Sequence, residues 1–254
     1  MRHNHRTTWV VNITTIAAAG LFASRLLWQI LMPNVSQIAK TVTVKIDGAN
    51  TGSGVVIEQQ GNRYIVLSNW HVVSGNDSLS EGLLLRQTLR YRQRSTKSFK
   101  IQTVDRRKHL VTAGNIVRIG KLDLATLEFQ SKYRYTAATI GNSDRLTEGD
   151  TLYVSGWADP SPQLLTRSYQ FLVGNLSGRI DRPRDGYALI YTLNALPGMS
   201  GGAILDTRGN LVGINGRATV DLRTGTVNSV LGIEIDRYLR ARGDLPSQKW
   251  RKYN

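Results

Sequence analysis

Cysteine is absent, which removes disulfide bridges, thiolate metal sites and a cysteine nucleophile in one step. It leaves the compartment open, because a disulfide-free chain can live in an oxidising space. Histidine is scarce: only His3, His5, His71 and His109 occur, so chemistry that needs an imidazole has few candidates. Six prolines stand against 24 glycines, a balance that suits many short strands joined by tight turns. Acids are outnumbered, 18 Asp/Glu to 33 Lys/Arg, for a net charge of +15. Charge of that size fits a nucleic-acid or anionic-membrane partner. No nucleic-acid-binding motif accompanies it, so the charge is read as solubilising surface, and nucleic acid is not expected as a partner. A chain of 254 residues is long enough to bury a sizeable core in one large or two small domains.

Met1 to Arg6 is short and basic, and Thr7 to Ser24 carries no charge. An apolar run of that length predicts a signal peptide or a signal-anchor over residues 1–33, hence export to a periplasmic or extracellular space. Cleaved leader and retained membrane anchor stay equal alternatives. From Val35 the pattern changes. A helical turn over Val35–Ala39 leads into Val42, Val44 and Ile46, which alternate with polar residues as a half-buried strand does. Further strands are predicted at 54–58, 64–68, 100–104, 116–119 and 124–129, and after Lys132 at 137–140, 151–157, 169–176, 188–191, 202–205, 211–214 and 227–233. Only Asp236–Arg242 reads as a later helix. The expectation is an all-β chain of two antiparallel six-stranded barrels, over 34–133 and 134–254, with a hydrophobic N-terminal helix and a C-terminal helix. Between Arg86 and Lys108, nine Lys/Arg face the single Asp105. That interval is read as a solvated hairpin, with a polyanion or lipid-headgroup patch as its sharper alternative.

The chemistry centres on Leu196-Pro197-Gly198-Met199-Ser200-Gly201-Gly202-Ala203. A nucleophilic hydroxyl needs bare backbone around it so that a carbonyl can approach, and a tight turn through Gly198 can aim two backbone N–H groups at one oxyanion. A glycine-rich bend with an incidental serine fits the stretch alone equally well. Serine also needs a base. His3 and His5 belong to the leader and His109 follows four charged residues, which predicts an exposed loop, so His71 at the end of a strand is the candidate. The base in turn needs a carboxylate that fixes its tautomer. Asp123 opens the apolar run Leu122-Asp123-Leu124-Ala125 at the edge of a core, where an acid is costly unless paired. Asp77, Asp144 and Asp150 read as turn residues. Chain order excludes an α/β-hydrolase, whose histidine follows its serine. A subtilisin order could recruit Asp47, but it wants alternating strands and helices that this chain lacks.

Ser68-Asn69-Trp70-His71-Val72-Val73, Leu122-Asp123-Leu124-Ala125 and Gly198-Met199-Ser200-Gly201-Gly202 together resemble the three signature blocks of trypsin-like serine peptidases. The likeness is to the bacterial and cyanobacterial type with a stand-alone peptidase domain, and it covers about residues 36 to 242. It implies Ser200 as nucleophile, His71 as general base and then acid, Asp123 as its orienter, and the N–H groups of Gly198 and Ser200 as oxyanion hole. It further implies Asn194 near the base of the specificity pocket, and Ile214, Asn215 and Gly216 pairing with substrate backbone. Met199 stands where zymogen-type relatives carry an acid, so activation by a freshly cut N-terminus is not expected. Arg217 at the pocket rim would favour acidic or polar substrates.

The expected function is a serine endopeptidase acting on polypeptides through an acyl-enzyme, without metal or cofactor, and open to membrane association through its N-terminal segment. The alternative from another class is a catalytically silent binding protein on the same fold, using its basic surface for polyanions or membrane. A third is a non-peptide ester hydrolase with the same residues.

Overall fold

The computed structural model describes residues 34–74, 98–220 and 227–245. The predicted leader, most of the basic interval and Asp77 lie outside the described residues. Helix α1 (Val35–Val42) opens the structure; the Asn34 side chain accepts from the Gln37 N–H, and Val35, Ala39 and Val42 are buried along one face. The helix continues three residues past the predicted turn because that apolar spacing keeps a single buried stripe.

Seven strands form the first sheet: β1 (Thr43–Asp47), β2 (Thr51–Gln60), β3 (Arg63–Ser68), β4 (Ser98–Gln102), β5 (Lys108–Thr112), β6 (Ile116–Arg118) and β7 (Ala125–Gln130). Their order is β5-β4-β1-β2-β3-β7-β6, so the first half is nearly closed and has one strand more than expected. The addition is β5, hidden in sequence because it follows the charged tip Asp105–Lys108 and buries only Val111. His109 therefore lies on a strand, opposite Ile101, and not in an exposed loop. Helix α2 (Trp70–Ser74) follows β3, so His71 sits on a helical turn just beyond the strand.

The second sheet is a closed barrel in the order β10-β13-β12-β11-β8-β9. It is built from β8 (Thr151–Ala158), β9 (Ser168–Arg179), β10 (Tyr187–Thr192), β11 (Ala203–Leu205), β12 (Leu211–Val220) and β13 (Val227–Glu234). Helix α3 (Ile235–Arg242) ends at Gly243, whose φ of 88° is the left-handed cap that glycine takes without strain. The strand expected at 137–140 does not form. The segment crosses between the sheets, with the Ala138 N–H bonded to the Val56 carbonyl and a lone bridge from Ile140 to Leu211.

Each sheet has its own interior: Val44, Ile46, Val66, Phe99 and Leu127 fill the first, and Leu152, Val154, Leu189, Tyr191 and Ile204 the second. A third cluster joins them, with Val55, Leu67 and Leu124 from the first half against Ala203, Ile214 and Ile233 from the second. Arg167 crosses the same junction. Its guanidinium donates to the carbonyls of Ile46 (3.0 Å), Gly52 (2.8 Å) and Trp157 (3.1 Å) and to Asp47 (2.7 Å), and lies 3.0 Å from Asp159. A side chain that satisfies carbonyls from both halves leaves them unpaired when it is removed. Arg167→Met is expected to destabilise the protein by about 3 kcal/mol, read as a lowered urea midpoint; a midpoint equal to wild type contradicts the cross-link.

Candidate active site

Asp123 lies in the turn before β7, 7% exposed. A carboxylate so placed needs donors, and it has three. The His71 N–H donates to Oδ1 at 2.9 Å, His71 Nδ1 lies 2.7 Å from Oδ2, and the Tyr187 hydroxyl donates to the same Oδ2 at 2.6 Å. An ionised carboxylate only accepts, so Nδ1 carries a proton, and in the neutral imidazole the lone pair is then on Nε2. Burial pushes the Asp123 carboxyl up, but the hydrogen bonds from His71 and Tyr187 outweigh it and hold it below its ordinary 3.8. The main chain is fixed as well. The Asp123 carbonyl accepts from Asn69 Nδ2 at 3.0 Å and from the Trp70 N–H, and the Asp123 N–H donates to the Asp185 carbonyl.

Ser200 is carried by the turn between β10 and β11. Its carbonyl accepts from the Ser53 N–H at 2.7 Å, which ties the turn to β2. At Gly201 (φ +85°) a Cβ would lie 2.1 Å from the Ser53 carbonyl oxygen and 2.3 Å from Ser68 Oγ, so only glycine lets the turn approach the first sheet here. The Ser200 hydroxyl donates to the Gly216 carbonyl at 2.9 Å; among the described residues no hydrogen bond joins it to His71. The structure thus pairs His71 with Asp123 directly and brings Ser200 to the same junction with its hydroxyl turned towards β12.

The peptide between Pro197 and Gly198 is oriented from behind. The Pro197 carbonyl accepts from the Asp159 N–H at 2.8 Å. In a trans peptide the N–H points the opposite way, so Gly198 N–H is directed away from Asp159. Among the described residues, neither the Gly198 nor the Ser200 N–H donates a hydrogen bond within the chain. Two unspent donors flanking one side chain are what an incoming oxyanion requires. Ser53 reinforces the arrangement, its hydroxyl donating to the Gly198 carbonyl (2.9 Å) and accepting from the Trp157 N–H (2.8 Å).

Ile214 is paired on both sides, with Ala203 of β11 and Ile233 of β13. Asn215 bonds through its N–H to Gly202 and through its carbonyl to Gly201, and its side chain joins the Met199 carbonyl to the Tyr191 hydroxyl. Gly216 is skipped in the register between β12 and β13, which leaves it as the one member of that trio at a bulge. Asn194 is exposed between β10 and the turn. Arg217 is drawn off the rim, with its guanidinium 4.4 Å from the Tyr187 ring centre and 3.0 Å from Asp185. His109 is half-buried against Phe129, bonded to the Tyr135 hydroxyl, and burial pushes its imidazole pKa down.

Tyr187, Ser53 and Asp159 were not anticipated from sequence. A faint signal existed for Tyr187: a tyrosine inside the apolar strand Tyr187-Ala188-Leu189-Ile190-Tyr191 must find its hydroxyl a partner once buried. Among the described residues no group of three or more His, Asp or Glu is arranged to hold a metal ion.

Asp123 also links the site to stability. Its folded value lies below the unfolded one, so its contribution is complete above about pH 4 and is lost as pH falls through the folded value. Urea midpoints of wild type and Asp123→Asn are expected to differ most near neutrality and to converge below about pH 4; a gap that widens on acidification contradicts this.

A family model described as trypsin-like peptidase domain matches residues 52–214, a span that includes His71, Asp123 and Ser200. Among curated proteins, the chain is 26% identical over 208 residues to the serine protease Do-like HtrA of Lactobacillus helveticus, covering 79% of this chain and 43% of that protein. It is 28% identical over 173 residues to the serine protease Do-like HtrA of Bacillus subtilis, covering 66% and 33%. The magnetosome formation protease MamE of Magnetospirillum gryphiswaldense is 24% identical over 208 residues, covering 81% and 23%. The chain thus spans less than half the length of these relatives. Among solved structures, an HtrA-type protease AlgW variant with a tripeptide superposes with a TM-score of 0.60 at 20% identity, covering 83% of this chain and 62% of that one. Deg5 superposes with a TM-score of 0.58 at 20% identity, covering 82% and 90%. At that identity the structural likeness speaks for the fold alone.

Proposed function

The chain belongs to the trypsin-like peptidase domain family, and from that premise we propose that it is a serine endopeptidase whose nucleophile is Ser200, with His71 as base and Asp123 as orienter. The observation that carries the reading is the 2.7 Å contact from Nδ1 of His71 to a buried carboxylate. It commits the imidazole to the tautomer whose Nε2 can accept a proton. On substrate binding the Ser200 hydroxyl rotates from the Gly216 carbonyl to His71. Oγ attacks the scissile carbonyl carbon while Nε2 takes its proton. The carbonyl π pair moves onto oxygen, where the N–H groups of Gly198 and Ser200 receive the charge. Collapse breaks the C–N bond, the amine leaves with the proton from His71, and an acyl-enzyme ester remains. Water, deprotonated by His71, attacks that ester, and Ser200 departs with the proton as the new carboxylic acid is released.

The substrate class in this reading is polypeptide, supported by the protease relatives and by the bare glycine turn around Ser200. Export is part of the reading too, supported by the basic start and uncharged apolar run of the first 24 residues. Ser200→Ala removes the nucleophile but not the turn. It is expected to leave the urea midpoint unchanged, to lower hydrolysis of an unfolded protein substrate by about 10⁴-fold or more, and to abolish labelling by a serine-directed phosphonate. A variant that cleaves as fast as wild type overturns the mechanism.

A further inference from the structure

We propose that Tyr187 is a positioning residue of this site: its hydroxyl occupies the space where Gly216 lacks a side chain and, by donating to Asp123, sets how strongly that carboxylate favours a protonated His71. The inference rests on the functional reading above and adds a residue that none of the three signature blocks contains.

Three observations converge on it. Tyr187 is 1% exposed at the start of β10, and its hydroxyl reaches Asp123 Oδ2 at 2.6 Å, the same oxygen that holds His71 Nδ1 at 2.7 Å. Two donors therefore compete for one acceptor atom, and charge withdrawn by one is unavailable to the other. Secondly, a Cβ at Gly216 would lie 2.4 Å from the Tyr187 hydroxyl oxygen. Glycine is required there for room, and the same residue's carbonyl receives the Ser200 hydroxyl. Thirdly, the Arg217 guanidinium stands over the Tyr187 ring, where a cation makes the phenol a stronger donor.

Among the described residues, Asp123, Arg217 and Tyr191 act on Tyr187 most strongly, and His71 shares Asp123 Oδ2 with it. Burial pushes the phenol's own pKa well upward, so it remains a donor across the neutral range. A tyrosine that merely fills the core would be satisfied by any acceptor. One that shares Oδ2 with the imidazole tunes it. Removing the hydroxyl concentrates charge on Oδ2, so His71 holds its proton to higher pH; it also frees the carboxylate to turn, which misaligns the ring.

The test is Tyr187→Phe in the full chain, assayed beside wild type and Ser200→Ala on one peptide substrate from pH 5 to 9, with folding checked by circular dichroism. The expected result is kcat lowered about tenfold, KM within about twofold, and the acid limb of kcat moved to higher pH. A folded variant with the wild-type kcat and profile overturns the proposal while leaving the role of Ser200 intact. Should Tyr187→Phe fail to fold, Gly216→Ala crowds the phenol oxygen with one methyl and is read by NMR titration of the His71 imidazole, because the Gly216 backbone itself holds Ser200; a midpoint above that of wild type supports the proposal, and the wild-type midpoint overturns it. If wild type shows no Ser200-dependent turnover, the functional reading fails instead. An NMR titration of the His71 imidazole then still decides: a higher midpoint in Tyr187→Phe than in wild type upholds the role of Tyr187, and equal midpoints overturn it.

Discussion

A carboxylate taken out of water must be solvated by the protein or it does not stay charged. Asp123 meets that demand with donors from two separate elements, α2 and β10. The acid and the imidazole are therefore not oriented by packing alone. Any motion of α2 relative to the turn before β7 exposes a buried charge to an unpaired state, which costs more than a typical hydrogen bond is worth. The same constraint recruits Asn69, which holds the Asp123 carbonyl and so fixes where β3 gives way to the helical turn bearing His71.

The second half of the site is fixed differently, by crowding and by neutral hydrogen bonds. Gly198, Gly201 and Gly202 each lie where a Cβ would overlap backbone from β2 or β8. That closeness lets Ser53 reach across from the first sheet to the Gly198 carbonyl and lets Asp159 hold the Pro197 carbonyl. Arg167 anchors this corner by bridging carbonyls of both halves. The surroundings of Ser200 thus depend on contacts between residues more than 100 positions apart, and the two halves hold the site only while docked.

That separation explains what the sequence could and could not disclose. Alternation made most strands visible, because a half-buried strand writes its faces into every second residue. His71, Asp123 and Ser200 were reachable as candidates because so few histidines compete and because an acid opening an apolar run needs a reason. Strand β5 was hidden since only Val111 marks its buried face. Residues 137–140 looked like a strand through their apolar content, yet they serve as a crossing between the sheets, bonded at Ala138 to Val56 and bridged at Ile140 to Leu211 of the closed barrel. Ser53 and Arg167 left no local mark, and Tyr187 only the faint one of a hydroxyl inside an apolar strand. A buried tyrosine in an apolar strand is indistinguishable from core until its hydroxyl has a partner in space, and the polar links of Ser53 and Arg167 are invisible to any window.

Met199 sits in the turn that joins β10 to β11, beside Ser200. An acid at that position would need a cation delivered from elsewhere, whereas the thioether is simply buried in the second barrel's core. The turn keeps its shape through the Met199 carbonyl, which accepts from Asn215 Nδ2 and from the Gly202 N–H, with Asn215 in turn held by the Tyr191 hydroxyl. Every one of these partners belongs to β10, β12 or the turn itself. The two N–H groups that flank Ser200 are therefore held by hydrogen bonds within the second barrel and from Ser53 of β2, rather than by an ion pair at Met199. Docking to the first sheet adds the Ser53 bonds to the turn together with the imidazole and its carboxylate, and Gly216 is where the two sets meet: its carbonyl holds the Ser200 hydroxyl, and its missing side chain admits the phenol that reaches Asp123.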